Sequence, residues 1–276
     1  MVDVSLTRFS KQLFSRMNEH QVTDLSAQLA YYFLLSLFPF LIFAITLLAH
    51  FDFSQEQILD LIAQYAPSES FVAIQENLIL EDGARKGLLS FGIIATIWSA
   101  SNAINAIIKS LNRAYNVHES RHFLLARGLS ILLSIAMIFV IVIALILPVF
   151  GETLWRFFVS FFDISESFGF MFAIIRWVLS LSIMIVVFMF IYYYAPNKRL
   201  HYKDVLIGSV FASVLWQLVS LLFSYYINNF SNYSATYGSL GGVIALMLWF
   251  YLTGLVIIVG GEVNATSNYF RKKSQS

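Results

Sequence analysis

Cysteine is absent from all 276 residues, which excludes disulfides, thiolate metal sites and cysteine nucleophiles. Any chemistry must run on oxygen or imidazole. Charge is nearly as scarce: 12% of residues are Asp, Glu, Lys or Arg, and the net charge is +1. The 17 basic residues fall in short groups and never form a tract, so the electrostatic footprint of a nucleic-acid binder is missing and no nucleic-acid partner is expected. No G-x-S-x-G elbow, P-loop or dinucleotide fingerprint occurs. The first 24 residues lack a continuous apolar run with a small-residue cleavage site, so the first spanning helix is expected to direct insertion.

What is present is apolar surface. The chain is 59% hydrophobic and 17% aromatic, with a mean hydropathy of +0.75, far above what a water-facing domain tolerates. Six stretches are long enough to cross a hydrocarbon core, which takes about 20 helical residues: roughly 25–50, 87–108, 128–150, 171–195, 205–228 and 240–264. The period-two alternation of a membrane barrel is missing. The expected fold is therefore an all-α integral membrane protein, with six transmembrane helices in 25–265 and short amphipathic interfacial helices.

Thirteen of the 17 basic residues lie in the N-terminal segment, the 109–127 and 196–204 connections, and the tail from residue 266. The alternate segments hold the other four (Arg85, Lys86, Arg156, Arg176) and ten acids. The positive-inside rule then places both termini in the cytoplasm. Within residues 1–24, Leu6, Phe9, Leu13 and Met17 recur at helical spacing opposite Arg8, Lys11 and Gln12, the pattern of a helix lying in the inner interface. Outside, Ser54 with Gln57 resembles a capping box and Pro67-Ser68-Glu69 opens a second short helix, so residues 52–85 are expected to form a helical cap. Trp155, Phe157, Phe158, Phe161 and Phe162 suit an interfacial aromatic belt.

One stretch carries a catalytic spelling. His118-Glu119-Ser120-Arg121-His122 matches H-E-x-x-H, in which two imidazoles one helical turn apart bind zinc and the glutamate is the general base. An apolar span follows at once with no third ligand, and Arg121 sets a fixed cation beside one imidazole. Metal ligation by His118 and His122, in an intramembrane peptidase, is the weaker reading. A solvated basic connection beside anionic headgroups is the stronger, and no cofactor is expected.

Polar residues at membrane depth are costly and normally face the bundle interior. In the second span, Ser99, Asn102, Asn105 or Ala106, and Lys109 form one stripe. Matching depths across spans puts Gln28, Asn102, Asn105, Lys109, Glu262 and Asn264 near one cytoplasmic-side mouth, as candidates to line a substrate path or to bond helix to helix. Arg176, inside the outer end of the fourth span, is a further candidate, placed to snorkel or to pair with Asp163 or Glu166. Pro39 removes a hydrogen bond from the first span and predicts a kink. Gly238 and Gly242 form a small-xxx-small pair that suits close helix packing.

Four stretches, "LSAQLAYYFLLSLFPFLIF", "WSASNAINAIIKSLNRAYNV", "APNKRLHYKDVLIGSVFASVLWQL" and "YSATYGSLGGVIALMLWFYLTGLVIIVGGEVNA", resemble in order and spacing the BrkB/YihY family of bacterial inner-membrane proteins. The resemblance implies a six-helix plasma-membrane protein, in a family that once carried a ribonuclease label. The chain shows no acidic or histidine metal cluster to support such an activity. The function expected is a transporter or exporter of a lipid-like or amphiphilic substrate, with membrane lipids as partners. A non-transporting envelope scaffold is the other alternative to the peptidase.

Overall fold

The computed structural model describes residues 6–48, 82–135, 169–230 and 240–273. Seven helices account for most of these residues: α1 (Leu6–Glu19), α2 (Val22–Leu48), α3 (Asp82–Ala114), α4 (Phe123–Ile135), α5 (Gly169–Tyr194), α6 (Tyr202–Phe230) and α7 (Leu240–Lys273). Five of them, α2, α3, α5, α6 and α7, are long and apolar enough to cross a membrane. α4 is a shorter apolar helix that overlaps the first residues of the third expected span; residues 136–150, the cap at 52–81 and the aromatic belt lie outside the described residues. Pro39 sits inside α2, which runs through it.

Helix ends depart from the expected bounds. α3 begins at Asp82 and continues to Ala114, and α7 runs on to Lys273, so most of the basic tail is helix. Capping explains the stop of α3. Asn116 adopts φ 51°, and the Asn116 and Val117 amides donate to the Arg113 and Asn112 carbonyls at 3.0 and 2.9 Å, closing a Schellman turn. Asparagine tolerates this left-handed backbone better than most side chains do. A two-residue turn, with Gln21 at φ 54°, joins α1 to α2.

α7 is the hub, packing against α6, α2, α3 and α1, while α2 pairs with α3 and α5 with α6. Buried residues of α2, α3, α5, α6 and α7 (Leu29, Leu111, Tyr192, Val205, Ile258) meet in one core. These residues sit toward the end of the bundle that carries α1 and the end of α7, here called the basic end. One helix, α6, turns large apolar side chains outward and small or hydroxyl ones inward, as helices facing lipid do. On α6, Ile207, Phe211, Val214 and Leu218 are exposed, whereas Gly208, Ser209, Ala212 and Ser213 are buried. The Ser209 and Ser213 hydroxyls donate back to the carbonyls of Val205 and Ser209 at 2.7 and 2.8 Å, so burial leaves neither unsatisfied.

Glycines set the closest crossings. A Cβ on Gly208 would lie 2.2 Å from the Gly260 carbonyl, and one on Gly260 would lie 2.2 Å from the Tyr192 hydroxyl. Of the expected Gly238–Gly242 pair, Gly238 lies outside the described residues, and a Cβ on Gly242 meets none of the described atoms within 4 Å. Small-residue spacing signals that two backbones can approach, and only the crossing point decides where they do. Here that point lies toward the other end of α7.

Candidate functional site

Glu262 is fully buried on α7, and both partners of its carboxylate come from the N-terminal helix and its end. Arg16 Nε donates to Oε2 at 3.2 Å, and His20 Nδ1 lies 2.5 Å from Oε1. The Arg16 guanidinium also donates to the carbonyl of Ala114, at the end of α3. Arg113 closes the ring by donating to the His20 carbonyl at 3.1 Å. A carboxylate withdrawn from water is tolerated only when paired and hydrogen-bonded, and here the pairing fastens α1 to the ends of α3 and α7. Phe9 against Phe270, 6.1 Å between ring centroids, extends the same contact. α1 is thus built into the bundle as well as amphipathic. Arg16 and His20 were not singled out from the sequence, although they continue the Leu13 and Met17 stripe at spacings of three and four.

Asn264 faces another helix. Its Oδ1 accepts from the Gly208 amide at 2.7 Å, and Asn268, one turn on, donates to the Asp204 carbonyl at 3.2 Å. Two asparagines on α7 therefore hold the donor and the acceptor of a single turn of α6. Arg271 pairs with the Asp204 carboxylate and donates to Asn268 Oδ1 at 3.1 Å.

The other expected path residues divide by direction. Asn102 accepts from Arg127 of α4 at 2.9 Å, while the Arg127 guanidinium lies 4.2 Å from the centre of the Trp98 ring. Asn105 is half-buried on α3, and Gln28 and Lys109 are exposed. Arg176 lies on α5, and its surroundings fall outside the described residues. Glu262, Asn264 and Asn102 thus bond toward α1, α6 and α4 respectively, as side chains that tie helix to helix. Depth follows from position along the chain, but each residue turns a helix by 100°, and facing depends on where neighbours stand.

The H-E-x-x-H stretch is not helical. Residues 117–120 are irregular, so His118 and His122 are not one turn apart on a helix face. Glu119 is engaged at both oxygens: Asn112 Nδ2 donates at 2.9 Å and the Arg121 amide at 3.1 Å. Arg121 donates to the carbonyls of Ala195 and Pro196 at 3.2 and 2.8 Å. From that opposite loop, the Asn197 amide donates to Asn112 Oδ1 at 2.6 Å, and its side chain to the His118 carbonyl at 3.0 Å and Ser120 Oγ at 2.8 Å. The stretch is a clasp between two connections. Among the described residues no group of three His, Asp or Glu is placed to hold a metal ion.

Away from the basic end, a groove of about 420 Å³ opens between α6 and α7, lined by Ser220, Phe223, Ser224, Ile227, Leu246 and Trp249, with Gly242 at its wall. Among the described residues, the buried Ser220 hydroxyl there has no hydrogen-bond partner.

The family model described as Virulence factor BrkB matches residues 13–276. A Bacillus subtilis (strain 168) protein with a ribonuclease-like name, YfkH, is 51% identical over 259 residues, covering 93% of this chain and 94% of that protein. UPF0761 membrane proteins of Tolumonas auensis (strain DSM 9187 / NBRC 110442 / TA 4) and Vibrio atlanticus (strain LGP32) are 26% and 28% identical. Each match covers 94% of this chain, and 85% and 82% of the respective relatives. No solved structure matches.

Proposed function

The chain belongs to the BrkB family of membrane proteins, and from that premise we propose that it is a transporter of amphiphilic, lipid-like molecules. The observation that carries this reading is the groove between α6 and α7. Its walls are mainly apolar, with Phe223, Leu246 and Trp249 offering an acyl chain contact while Ser220 offers a hydroxyl. The unpartnered Ser220 hydroxyl supports a polar ligand group at that depth, because a buried donor without a partner is costly. The distribution of Lys and Arg supports a bacterial plasma-membrane location with the basic end, and both termini, in the cytoplasm.

Gly242 supplies the test, since a side chain there enters open space and leaves helix packing intact. Purified protein in liposomes carrying a headgroup-labelled fluorescent phospholipid is assayed for label reaching the opposite leaflet, with and without an imposed proton gradient. Gly242→Leu is expected to slow the movement at least about tenfold, and Val243→Leu, on the exposed face of α7, to leave it unchanged. Equal rates for wild type and Gly242→Leu, or no movement by wild type under either condition, would refute the proposal.

A further inference from the structure

Contacts with α7 set three of the spans on one scale of depth. A Cβ on Gly254 would lie 3.1 Å from Leu29 Cβ and from the Ser26 carbonyl, which puts Gln28 of α2 level with Gly254. A Cβ on Gly261 would meet Leu111, so Lys109 and Asn105 of α3 lie about 3 and 9 Å beyond Gly261, away from the basic end. The Gly208 amide donates to Asn264, and a Cβ on Gly208 would meet the Gly260 carbonyl. Val210, Phe211, Val214 and Leu218 of α6 therefore descend through the same levels, about 3 to 15 Å beyond Gly208. What the helices present outward there differs. Those four α6 residues are all exposed and apolar, as lipid requires. α2 exposes Thr23, Asp24, Ala27 and Gln28 before its outward face turns apolar at Leu35 and Leu41, and α3 exposes Lys109 and Arg113, with Asn105 half-buried one turn deeper.

A charge or an amide set against hydrocarbon is costly. Snorkelling does not relieve it: a helical side chain leans toward its own N-terminus, so Lys109 leans away from the basic end while Gln28, on a helix of opposite direction, leans toward it. Their head groups thereby approach one level. Pairing does not relieve it either, since among the described residues no carboxylate pairs with Lys109 or Arg113, and Arg113 bonds only the His20 carbonyl. We infer that the outward side of the α2–α3 pair is a hydrated track, open at the basic end, that takes the anionic headgroup of an amphiphile. Water satisfies the amides. Lys109, Arg113 and Arg127, which is held by Asn102 about 14 Å beyond Leu111, outnumber the exposed acids Glu19 and Asp24 and set the sign of the ligand. The headgroup rests on the reading of an amphiphilic substrate. The hydration does not, and the track lies apart from the groove between α6 and α7.

The lack of cysteine allows single thiols in the full chain. Gln28→Cys, Ala27→Cys and Asn105→Cys are compared with Val214→Cys in membrane vesicles opened by freeze–thaw, so that both faces meet the reagent. The probes are two membrane-impermeant methanethiosulfonates, one carrying a sulfonate and one a trimethylammonium, each normalised to its rate with a free thiol. Positions 27, 28 and 105 are expected to react at least about tenfold faster than position 214, which faces lipid at a matching depth. At position 105, one turn from Lys109, the sulfonate should outpace the ammonium about threefold, and Lys109→Gln should remove that advantage. Ala27→Cys adds only a sulfur at an exposed position, so its rate does not depend on whether a larger change upsets folding. Rates at 27, 28 and 105 as slow as at 214 would overturn the track, and so would rates that only detergent restores, which would place a second copy on that face. Fast reaction without charge preference would keep the hydration and overturn the anionic headgroup. These rates require no lipid movement, so the transport reading can fail while the track stands.

Discussion

Replacing Glu262 by Gln keeps the volume of the side chain and removes only its charge. Arg16, 8% exposed, is then left buried with a neutral neighbour, and His20 loses a carboxylate at 2.5 Å. Removing one partner from a buried ion pair costs about 3–5 kcal/mol, mainly the penalty of the stranded charge. The Gln amide oxygen still accepts one hydrogen bond, and Arg16 keeps the Ala114 carbonyl, so about 3 kcal/mol is expected. The double variant Arg16→Met/Glu262→Met leaves neither member of the ion pair stranded and should cost only about 1 kcal/mol for the imidazole's lost partner. Equilibrium unfolding in mixed micelles with increasing SDS, followed by tryptophan fluorescence, gives the stabilities relative to wild type. Proteolysis at the 20–21 turn reports separately whether α1 has come away. If the single variants Arg16→Met and Glu262→Met, measured in the same assay, add up to the double variant to within about 0.5 kcal/mol, the pair is uncoupled and the latch is refuted.

Gly260→Ala should destabilise by about 1–3 kcal/mol through overpacking against Tyr192, whereas Gly242→Ala should fall within about 0.5 kcal/mol of wild type; the same unfolding assay compares them. Metal analysis of purified protein should show equal zinc in wild type and in His118→Ala/His122→Ala, and stoichiometric zinc lost in the variant would revive the peptidase reading. Glu119→Ala should loosen the clasp between the 117–122 and 195–197 connections, seen as faster hydrogen exchange in both segments and not only in the mutated one. Lys198 sets a pH dependence. Its folded pKa lies below the ordinary value of 10.5, so the unfolded chain holds more protons between the two values and stability rises with pH across that window. Lys198→Met should flatten that rise, read as unfolding midpoints from pH 8 to 10.5.

Spans were legible because the hydrocarbon core imposes a length, and runs of apolar side chains satisfy it whatever the neighbours are. The end of α3 was not read from the sequence, which bounded that span at 108, although its signal is local: Asn116 tolerates the left-handed turn that stops the helix. Depth was legible too: Glu262 and Asn264 do lie toward the basic end of α7, close to α1 and to the start of α6. Facing was not. The stripe containing Asn102, Asn105 and Lys109 reads as one polar face, yet Asn102 is claimed by Arg127 from α4 and Lys109 is exposed. In H-E-x-x-H, read as the weaker alternative, the spacing alone was no guide to geometry, because it means one helical turn only where the backbone is helical.

The sequence by itself therefore determined that this is an all-α chain of membrane-spanning helices, and which residues sit near the basic connections, since hydropathy and length act along a single segment. The tertiary structure alone decided that Glu262 closes on Arg16 and His20, that Asn264 closes on Gly208, and that Glu119 is bound by Asn112 and Arg121. Those choices depend on which helix stands across from each side chain. Inside a mostly apolar bundle a buried charge or amide is costly unless it is paired, and helix packing selects which partner it finds.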